Sequence, residues 1–445
     1  MEVLVMIAQL LLGLSILIVL HELGHFLTAR AFGIKVEKFY LFFDAWGFKL
    51  FSVKYKDVEY GIGWLPLGGY VKIAGMIDES MDTEAMAQPM QPWEFRSKPA
   101  WQRLIVMLGG VTVNVILGIF IFWMLTYKYG ETYLPNSEVK YGISPGIVGK
   151  EIGLQAGDKI LEINDKPLVK FNDIRSSDVL LGNSSLTILR DGQEKNIQIP
   201  PDILNSIADN GVNEFVEPRL KSTVDSVAPK SPAANAGIQK GDELVAINGV
   251  PTVFYDQIKE VLKANKDKQV QVSVVRNAET LIIPITISKE GTLGFYPNQR
   301  DFKYETQKFG FIDALPQGAS QAWGSLTDNA KGLTKVVKGE VKANKAFSGP
   351  VEIARKLYGG TWDWVKFWSI TGLLSMALAL MNLLPIPALD GGHAVFLIIE
   401  MIKGKPLSDK FMEKAQIVGF VLLATLMVFV LGNDIFKAFT KQINS

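Results

Sequence analysis

Four stretches of this chain run for close to a bilayer's width without a charged residue: Val3–Leu20, Leu104–Tyr127, Phe367–Leu389 and Ala415–Asn433. A helix needs about 20 apolar residues to cross the hydrocarbon core, so each stretch is a membrane-spanning candidate. Val3–Leu20 lacks a basic leading region and a small-residue cleavage site, so it reads as a retained helix rather than a signal peptide. The stretches fall at the two ends of the 445 residues, and the middle, about Gly130 to Lys366, is polar. The whole-chain figures, 48% hydrophobic residues and a mean hydropathy of +0.19, average these two parts.

Charge and residue usage then narrow the chemistry. With 46 Lys+Arg against 45 Asp+Glu the formal charge is +1, which gives no basic footprint for nucleic acid. The absence of Cys excludes disulfides, cysteine nucleophiles and thiolate metal sites. A zinc-type site must therefore draw on carboxylates and the three His of the chain. Short basic loops stay inside a membrane. Ten Lys/Arg run from Arg30 to Arg103 inclusive, and Lys403, Lys405, Lys410 and Lys414 join the last two spans. The N-terminus, the polar middle and the C-terminus are therefore expected outside.

The middle carries an internal repeat. Gly153-Leu-Gln-Ala-Gly-Asp-Lys-Ile-Leu-Glu-Ile-Asn-Asp-Lys-Pro167 recurs 84 residues later as Gly237-Ile-Gln-Lys-Gly-Asp-Glu-Leu-Val-Ala-Ile-Asn-Gly-Val-Pro251, with seven of fifteen positions identical. That period is a whole small domain. A Gly-Asp turn, an apolar strand and an Asn-Asp or Asn-Gly turn suit a β-rich module. Ser185–Arg190 and Val270–Arg276 alternate as strands do, and Tyr255–Ala264 reads as a short helix between them. The pattern resembles PDZ domains, whose exposed groove takes an extended peptide as an added strand. The alternative is a pair of spacers with no ligand.

The reactive residues begin where the first stretch ends. Leu20 runs directly into His21-Glu22-Leu23-Gly24-His25. On a helix, positions i and i+4 share a face, so His21 and His25 can hold one ion with Glu22 beside it as a general base. A charge at such a depth costs on the order of 3 kcal/mol on insertion scales, so it is rare without a purpose. A third ligand is expected from Asn382-Leu-Leu-Pro385-Ile-Pro387-Ala-Leu389-Asp390-Gly391-Gly392-His393, where two prolines break the helix and two glycines admit close backbone approach. Asp390 also reads as a helix N-cap, and His393 as a polar anchor. Charge selects Asp390: a divalent zinc with Asp390 and Glu22 sums to zero, whereas His393 in its place leaves a net charge in low dielectric. His393 is then a supporting residue.

HExxH at the end of a first apolar segment, with NxxPxPxLDGG closing a later one, resembles the site-2 protease family of intramembrane zinc metalloproteases. Four spans with tandem PDZ-like modules between the second and third resemble its bacterial regulator-of-sigma-E branch. Pro66-Leu-Gly-Gly-Tyr-Val-Lys72, Gly349-Pro350 and Asn114 fit the same resemblance. Gly109-Gly110 departs from it, since members commonly carry Gly-Pro, and is expected to touch packing of the second span and leave the metal site unaffected. The resemblance implies Zn²⁺ held by His21, His25 and Asp390, with Glu22 catalytic. It also implies that Asn382 holds the substrate backbone, with Pro385, Pro387, Gly68, Gly69 and Tyr70 expected beside it.

The fold expected is a polytopic helical membrane protein with two inserted PDZ-like domains. Residues 1–130 form the first membrane core, 131–215 and 216–300 the modules, 301–350 a linker, and 351–445 the second membrane core. Val58–Gly75 reads as a Gly-rich β hairpin whose edge pairs with an unwound substrate, or as an interfacial loop anchored by Tyr60, Trp64 and Tyr70. Asp313–Lys338 reads as an amphipathic helix on the outer membrane surface, touching it through Leu315, Trp323, Leu326 and Leu333. The resemblance implies single-span membrane substrates, such as anti-sigma factors or remnant signal peptides, a peptide or C-terminus as PDZ ligand, and a bacterial cytoplasmic membrane with the active site facing the cytoplasm. A metal or proton transporter and a silent PDZ scaffold are the competing classes; the first normally shows inverted repeats, and none are visible.

Overall fold

The computed structural model of the protein describes residues 2–66, 68–76, 88–300 and 302–443; Leu67, within the Pro66–Lys72 segment, lies outside the described residues. The chain forms two compact units. One comprises Met1–Gly130, Lys308–Val337 and Ala346–Ser445, and the other Glu131–Gln307 with Lys338–Lys345.

The first unit is built on helices α1 (Glu2–Ala31), α2 (Ala100–Tyr129), α3 (Ala314–Val337), α4 (Trp364–Leu383), α5 (Asp390–Lys403) and α6 (Asp409–Ile443). Among the described residues, four segments are long and apolar enough to cross a membrane: α1, α2, α4, and Lys410–Ile435 within α6. The third uncharged stretch reaches Leu389, but α4 stops at Leu383. Pro385 and Pro387 cannot donate to a continuing helix, and Leu384 turns extended. At its other end α4 is capped by Asp363, which accepts from the N–H groups of Val365 and Lys366 at 2.8 and 3.0 Å. Asp434, buried in α6, accepts from the N–H groups of Gly349, Val351 and Glu352 at 3.0, 3.0 and 3.1 Å. That carboxylate ties the last span to the Gly349-Pro350 segment.

Helix α3 covers the amphipathic segment and packs against α2 through small residues. Gly318 and Ala322 are buried, while Trp323 and Leu315 are exposed. A Cβ at Gly318 would collide with the backbone of Trp123, so the small residue lets α3 lie flush against α2. The ring of Phe311 sits 4.7 Å from Trp123 and 5.3 Å from Tyr127, and Leu326 joins Phe122, Val115 and Ile119. Helix α3 therefore runs antiparallel along α2, and only Leu326 of the expected contacts belongs to that core.

Between α1 and α2 lies a four-stranded sheet of β1 (Val36–Leu41), β2 (Lys49–Tyr55), β3 (Val58–Gly63) and β4 (Tyr70–Ile73), in the order β2-β3-β1-β4. This corrects the single Val58–Gly75 hairpin: β1 inserts between β3 and β4, parallel to the first and antiparallel to the second. The true hairpin joins β2 to β3 through Lys56-Asp57, both at positive φ, as a two-residue primed turn requires. The glycines of β3 serve packing instead. A side chain on Gly61 would strike the ring of Tyr40, which is fully buried. Strand β4 is left at the sheet edge.

The second unit holds two four-stranded sheets of the same design. The first contains β5 (Lys159–Ile163), β6 (Lys166–Pro167), β7 (Ser185–Arg190) and β8 (Gln193–Gln198), ordered β6-β5-β7-β8. The second contains β9 (Glu243–Ile247), β10 (Val250–Pro251), β11 (Gln269–Arg276) and β12 (Glu279–Thr286), ordered β10-β9-β11-β12. Even the bulge repeats, at Ile160/Glu162 and Leu244/Ala246. The repeated Asp explains its own recurrence. Asp158 accepts two bonds from Arg190 at 2.7 Å and one from the Gln155 N–H at 2.8 Å; Asp242 does the same with Arg276 and Gln239. Each sheet is completed by a two-stranded ribbon, Ile143–Pro145 with Val216–Pro218 and Val224–Val227 with Phe295–Pro297. Val216–Pro218 thus belongs with the first repeat, one strand past the boundary expected at residue 215, and Lys338–Lys345 leaves the linker for this unit. Arg219 joins the repeats, bonding Asp256 through Nε and Nη2 and lying 3.8 Å over the Phe254 ring.

Candidate active site

The site forms where α1 and α2 cross at glycines. A side chain on Gly24 would strike the Gly109 carbonyl, and one on Gly109 would strike Gly24, so the helices meet backbone to backbone. This brings the HExxH face of α1 against α2. His25 Nδ1 lies 2.9 Å from the Val106 carbonyl, so that nitrogen carries the proton and Nε2 keeps its lone pair. His21 Nδ1 lies 3.0 Å from the side-chain amide of fully buried Asn114, whose Oδ1 is without a partner. Turning that amide over lets Oδ1 accept the Nδ1 proton, which satisfies the oxygen and leaves the Nε2 of His21 free as well.

Asp390 arrives from the opposite end of the chain. The loop after α4 folds back over the start of α5, where side chains on Gly391 and Gly392 would strike the carbonyls of Leu384 and Ile386. Ala388 takes a positive φ of 80° just before the site, a conformation that non-glycine residues rarely adopt. Helix α6 passes so close that any side chain on Gly419 would strike the Pro387 carbonyl. These contacts hold Asp390 Oδ2 at 3.3 Å from the Nε2 of His21 and 3.3 Å from that of His25, and the two Nε2 atoms are 3.3 Å apart.

This triangle fits a zinc ion. Ligand atoms of a tetrahedral zinc at bonds of about 2.0–2.1 Å stand about 3.3–3.4 Å apart. Asp390 Oδ2 is buried and makes no hydrogen bond, so an anionic oxygen faces the centre with nothing else to satisfy it. The three residues form the one group of metal-ligating side chains found among the described residues. A tetrahedral ion held by three protein atoms keeps one position open.

Around the triangle lies a cavity of about 250 Å³, lined by Glu22, by Gly68, Gly69 and Tyr70 ahead of and on β4, and by Asn382 on the last turn of α4. Glu22 packs toward the edge strand, where a Cβ on Gly69 would lie 3.6 Å from its Cγ. Tyr70 is fixed by a 2.8 Å bond to Asp44 and by stacking on Tyr40 and Phe43. Asn382 Nδ2 stands 3.2 Å from His21 Nε2. Of the expected residues, Pro385 and Pro387 do not line the cavity; they shape the loop that delivers Asp390. His393 lines it beside Phe396.

Gly110 overturns one expectation. A Cβ there would lie 2.5 Å from His25 Nε2 and 2.5 Å from His21 Cε1, so this position forms the wall of the candidate metal site. Gly110 and Asn114 stand four residues apart on one face of α2, a spacing legible in the sequence. Gln416, a buried amide from α6, also reaches the cavity. Its only signal is polarity inside an apolar run.

Comparison with known proteins places this geometry in a family. Residues 9–426 match the model of peptidase family M50. The chain is 30% identical over 449 residues to the regulator of sigma E protease of Haemophilus influenzae, covering 96% of this chain and 98% of the relative. It is 29% identical over 455 residues to the regulator of sigma-E protease RseP of Escherichia coli, with 96% and 98% covered. Protease RseP of Yersinia pestis is 28% identical over 459 residues, with 98% and 99% covered. Matching along nearly its whole length, the chain belongs to peptidase family M50.

Proposed function

We propose that this protein is an intramembrane zinc metalloprotease that hydrolyses peptide bonds within or near the spans of single-span membrane proteins. The observation that carries the reading is the 3.3 Å triangle of two imidazole nitrogens and an unbonded carboxylate oxygen, with Glu22 in the same cavity. His21, His25 and Asp390 would hold the ion. Zinc bound there supplies Lewis-acid polarisation of a carbonyl oxygen and brings the pKa of water down toward about 7. Glu22 takes the proton from the attacking water and passes it to the leaving amine. Membership of a peptidase family favours this chemistry over transport or scaffolding.

A substrate helix has its backbone bonded internally and must be unwound before a peptide bond can reach the site. The free edge of β4 can hold the unwound form. An extended segment laid along Tyr70–Ile73 gains main-chain bonds, while Gly68, Gly69 and Asn382 border the bond to be cut. The basic loops put this sheet and the catalytic residues towards the cytoplasm and the repeats outside, in a multi-pass protein of the bacterial inner membrane. The repeats, read as PDZ-like modules, select substrates already shortened by another protease.

The test is metal uptake together with cleavage. The purified protein should bind one zinc per chain and cut a reconstituted single-span substrate, and the paired His21→Ala, His25→Ala variant should do neither. Full zinc uptake by that variant sinks the site.

A further inference from the structure

A second cavity adjoins the catalytic one. It lies in the first unit, has a volume of about 310 Å³, and shares Met76 and His393 with the cavity around His21, His25 and Asp390. Two elements lead from one cavity to the other. Helix α5 places Asp390, His393, Leu397 and Glu400 at i, i+3, i+7 and i+10, so they form one stripe. That stripe starts at the carboxylate of the triangle, passes the shared His393, and ends on the wall of the second cavity. Strand β4 takes the same course. Tyr70, Val71 and Ile73 line the catalytic cavity, Met76 lines both, and Gly75 lines the second. The chain turns at that point, with Gly75 at φ 71° and the Met76 N–H bonded to the Ile73 carbonyl at 3.3 Å.

The wall of the second cavity is apolar, and its charges are matched. Phe95, Leu397, Leu407 and Met412 supply apolar surface. Arg103, in the first turn of α2, pairs with Glu400, and Arg96 pairs with Glu94 at 2.5 Å. Arg103 also donates through Nε to the Lys98 carbonyl at 2.9 Å and lies 5.9 Å from the Phe95 ring. A charged side chain entering here gives up its water without gaining a counter-ion, whereas an apolar one gains burial. The helix also sets which residue of an extended chain arrives. From Asp390 to Leu397 the axis advances about 10 Å, at about 1.5 Å per residue. A strand covers that length in about three residues, and its alternate side chains turn to opposite faces.

We propose that the second cavity is a specificity subsite, taking one large apolar side chain of the substrate about three residues from the bond that is cut, on the Ile73 side. His393 and Met76 form the threshold that this part of the substrate crosses. The inference rests on the proteolytic reading and on a substrate laid along β4. It adds the position at which the substrate is inspected and the side chain selected there.

The experiment is cleavage of a reconstituted single-span substrate by the full-length protein. Leu, Ala or Lys is placed in turn at the second to fourth residue on either side of the cut bond, and product masses fix the bond that is cut. At one position wild type should prefer Leu to Ala and to Lys by at least about tenfold in kcat/KM, with no such preference at the neighbouring positions. Leu407→Trp and Met412→Trp fill the cavity, and each should lower the Leu-to-Ala ratio at that position by at least about fivefold. A variant that merely loosens the fold slows both substrates alike and leaves the ratio where it was. Arg103→Gln leaves the Glu400 carboxylate unmatched and should raise the Lys-to-Leu ratio by at least about fivefold. Wild type indifferent to Leu at every position, ratios unmoved in both Trp variants, or Lys rejected equally by Arg103→Gln each overturns the proposal. These results leave the proteolytic reading standing. Failure of wild type to cut any substrate overturns that reading and this inference with it.

Discussion

Buried carboxylate oxygens in the two units live in opposite surroundings. Asp158 and Asp242, in the inserted unit, are each gripped by a guanidinium at two points and by a backbone N–H. Asp390, in the membrane unit, faces two imidazole nitrogens and leaves Oδ2 without a hydrogen bond. The first arrangement is complete in itself and recurs wherever the module recurs. The second leaves an anionic oxygen that a cation could satisfy. A carboxylate oxygen shut away from solvent is therefore structural or functional according to what is missing around it.

That contrast can be broken by substitution, beginning where the effect is largest. Asp390→Asn should abolish stoichiometric zinc and lower cleavage by at least about 10³-fold, read by metal analysis and by turnover of a reconstituted substrate. Melting of the inserted unit should not move. Gly110→Ala puts a methyl group against both histidines and should weaken zinc binding by about 10–100-fold in a chelator competition. Asn114→Ala frees the His21 ring and should cost about tenfold in the same assay, leaving the fold intact. Asp242→Asn reverses the pattern: zinc content stays at the wild-type level while the inserted unit melts about 3–6 °C lower.

Acid sharpens the contrast further. Burial pushes the Asp242 carboxyl up, but Arg276 and the Gln239 N–H hold it below the ordinary aspartate value. A carboxyl lowered in the folded state stabilises fully above the unfolded value of about 3.9 and loses that contribution as pH falls through the folded one. Melting of the inserted unit should therefore drop below about pH 4, and Asp242→Asn should flatten this part of the profile.

What can be read from the sequence is local. The uncharged runs, the HExxH spacing and the 84-residue repeat each lie within a short window. Asp390 is legible because electroneutrality chooses between two neighbours. Relations between distant segments stay hidden. Val36–Leu41 inserts between β3 and β4 because of pairings that no periodicity announces. The buried face of α3 follows from Gly318 fitting against Trp123, a fit that the large apolar residues of the segment do not announce. Gly110 misleads for the same reason. A glycine's role lies in what occupies the space beside it, here two histidines from another helix.

The central claim is that Glu22 moves the proton while other residues hold the metal. Glu22→Gln keeps the shape of the side chain and removes the base. The decisive measurement is cleavage of a reconstituted single-span substrate by this variant, with zinc content determined on the same sample. One zinc per chain with cleavage reduced at least about 10³-fold is the expected result. Cleavage at the wild-type rate with zinc still bound contradicts the account.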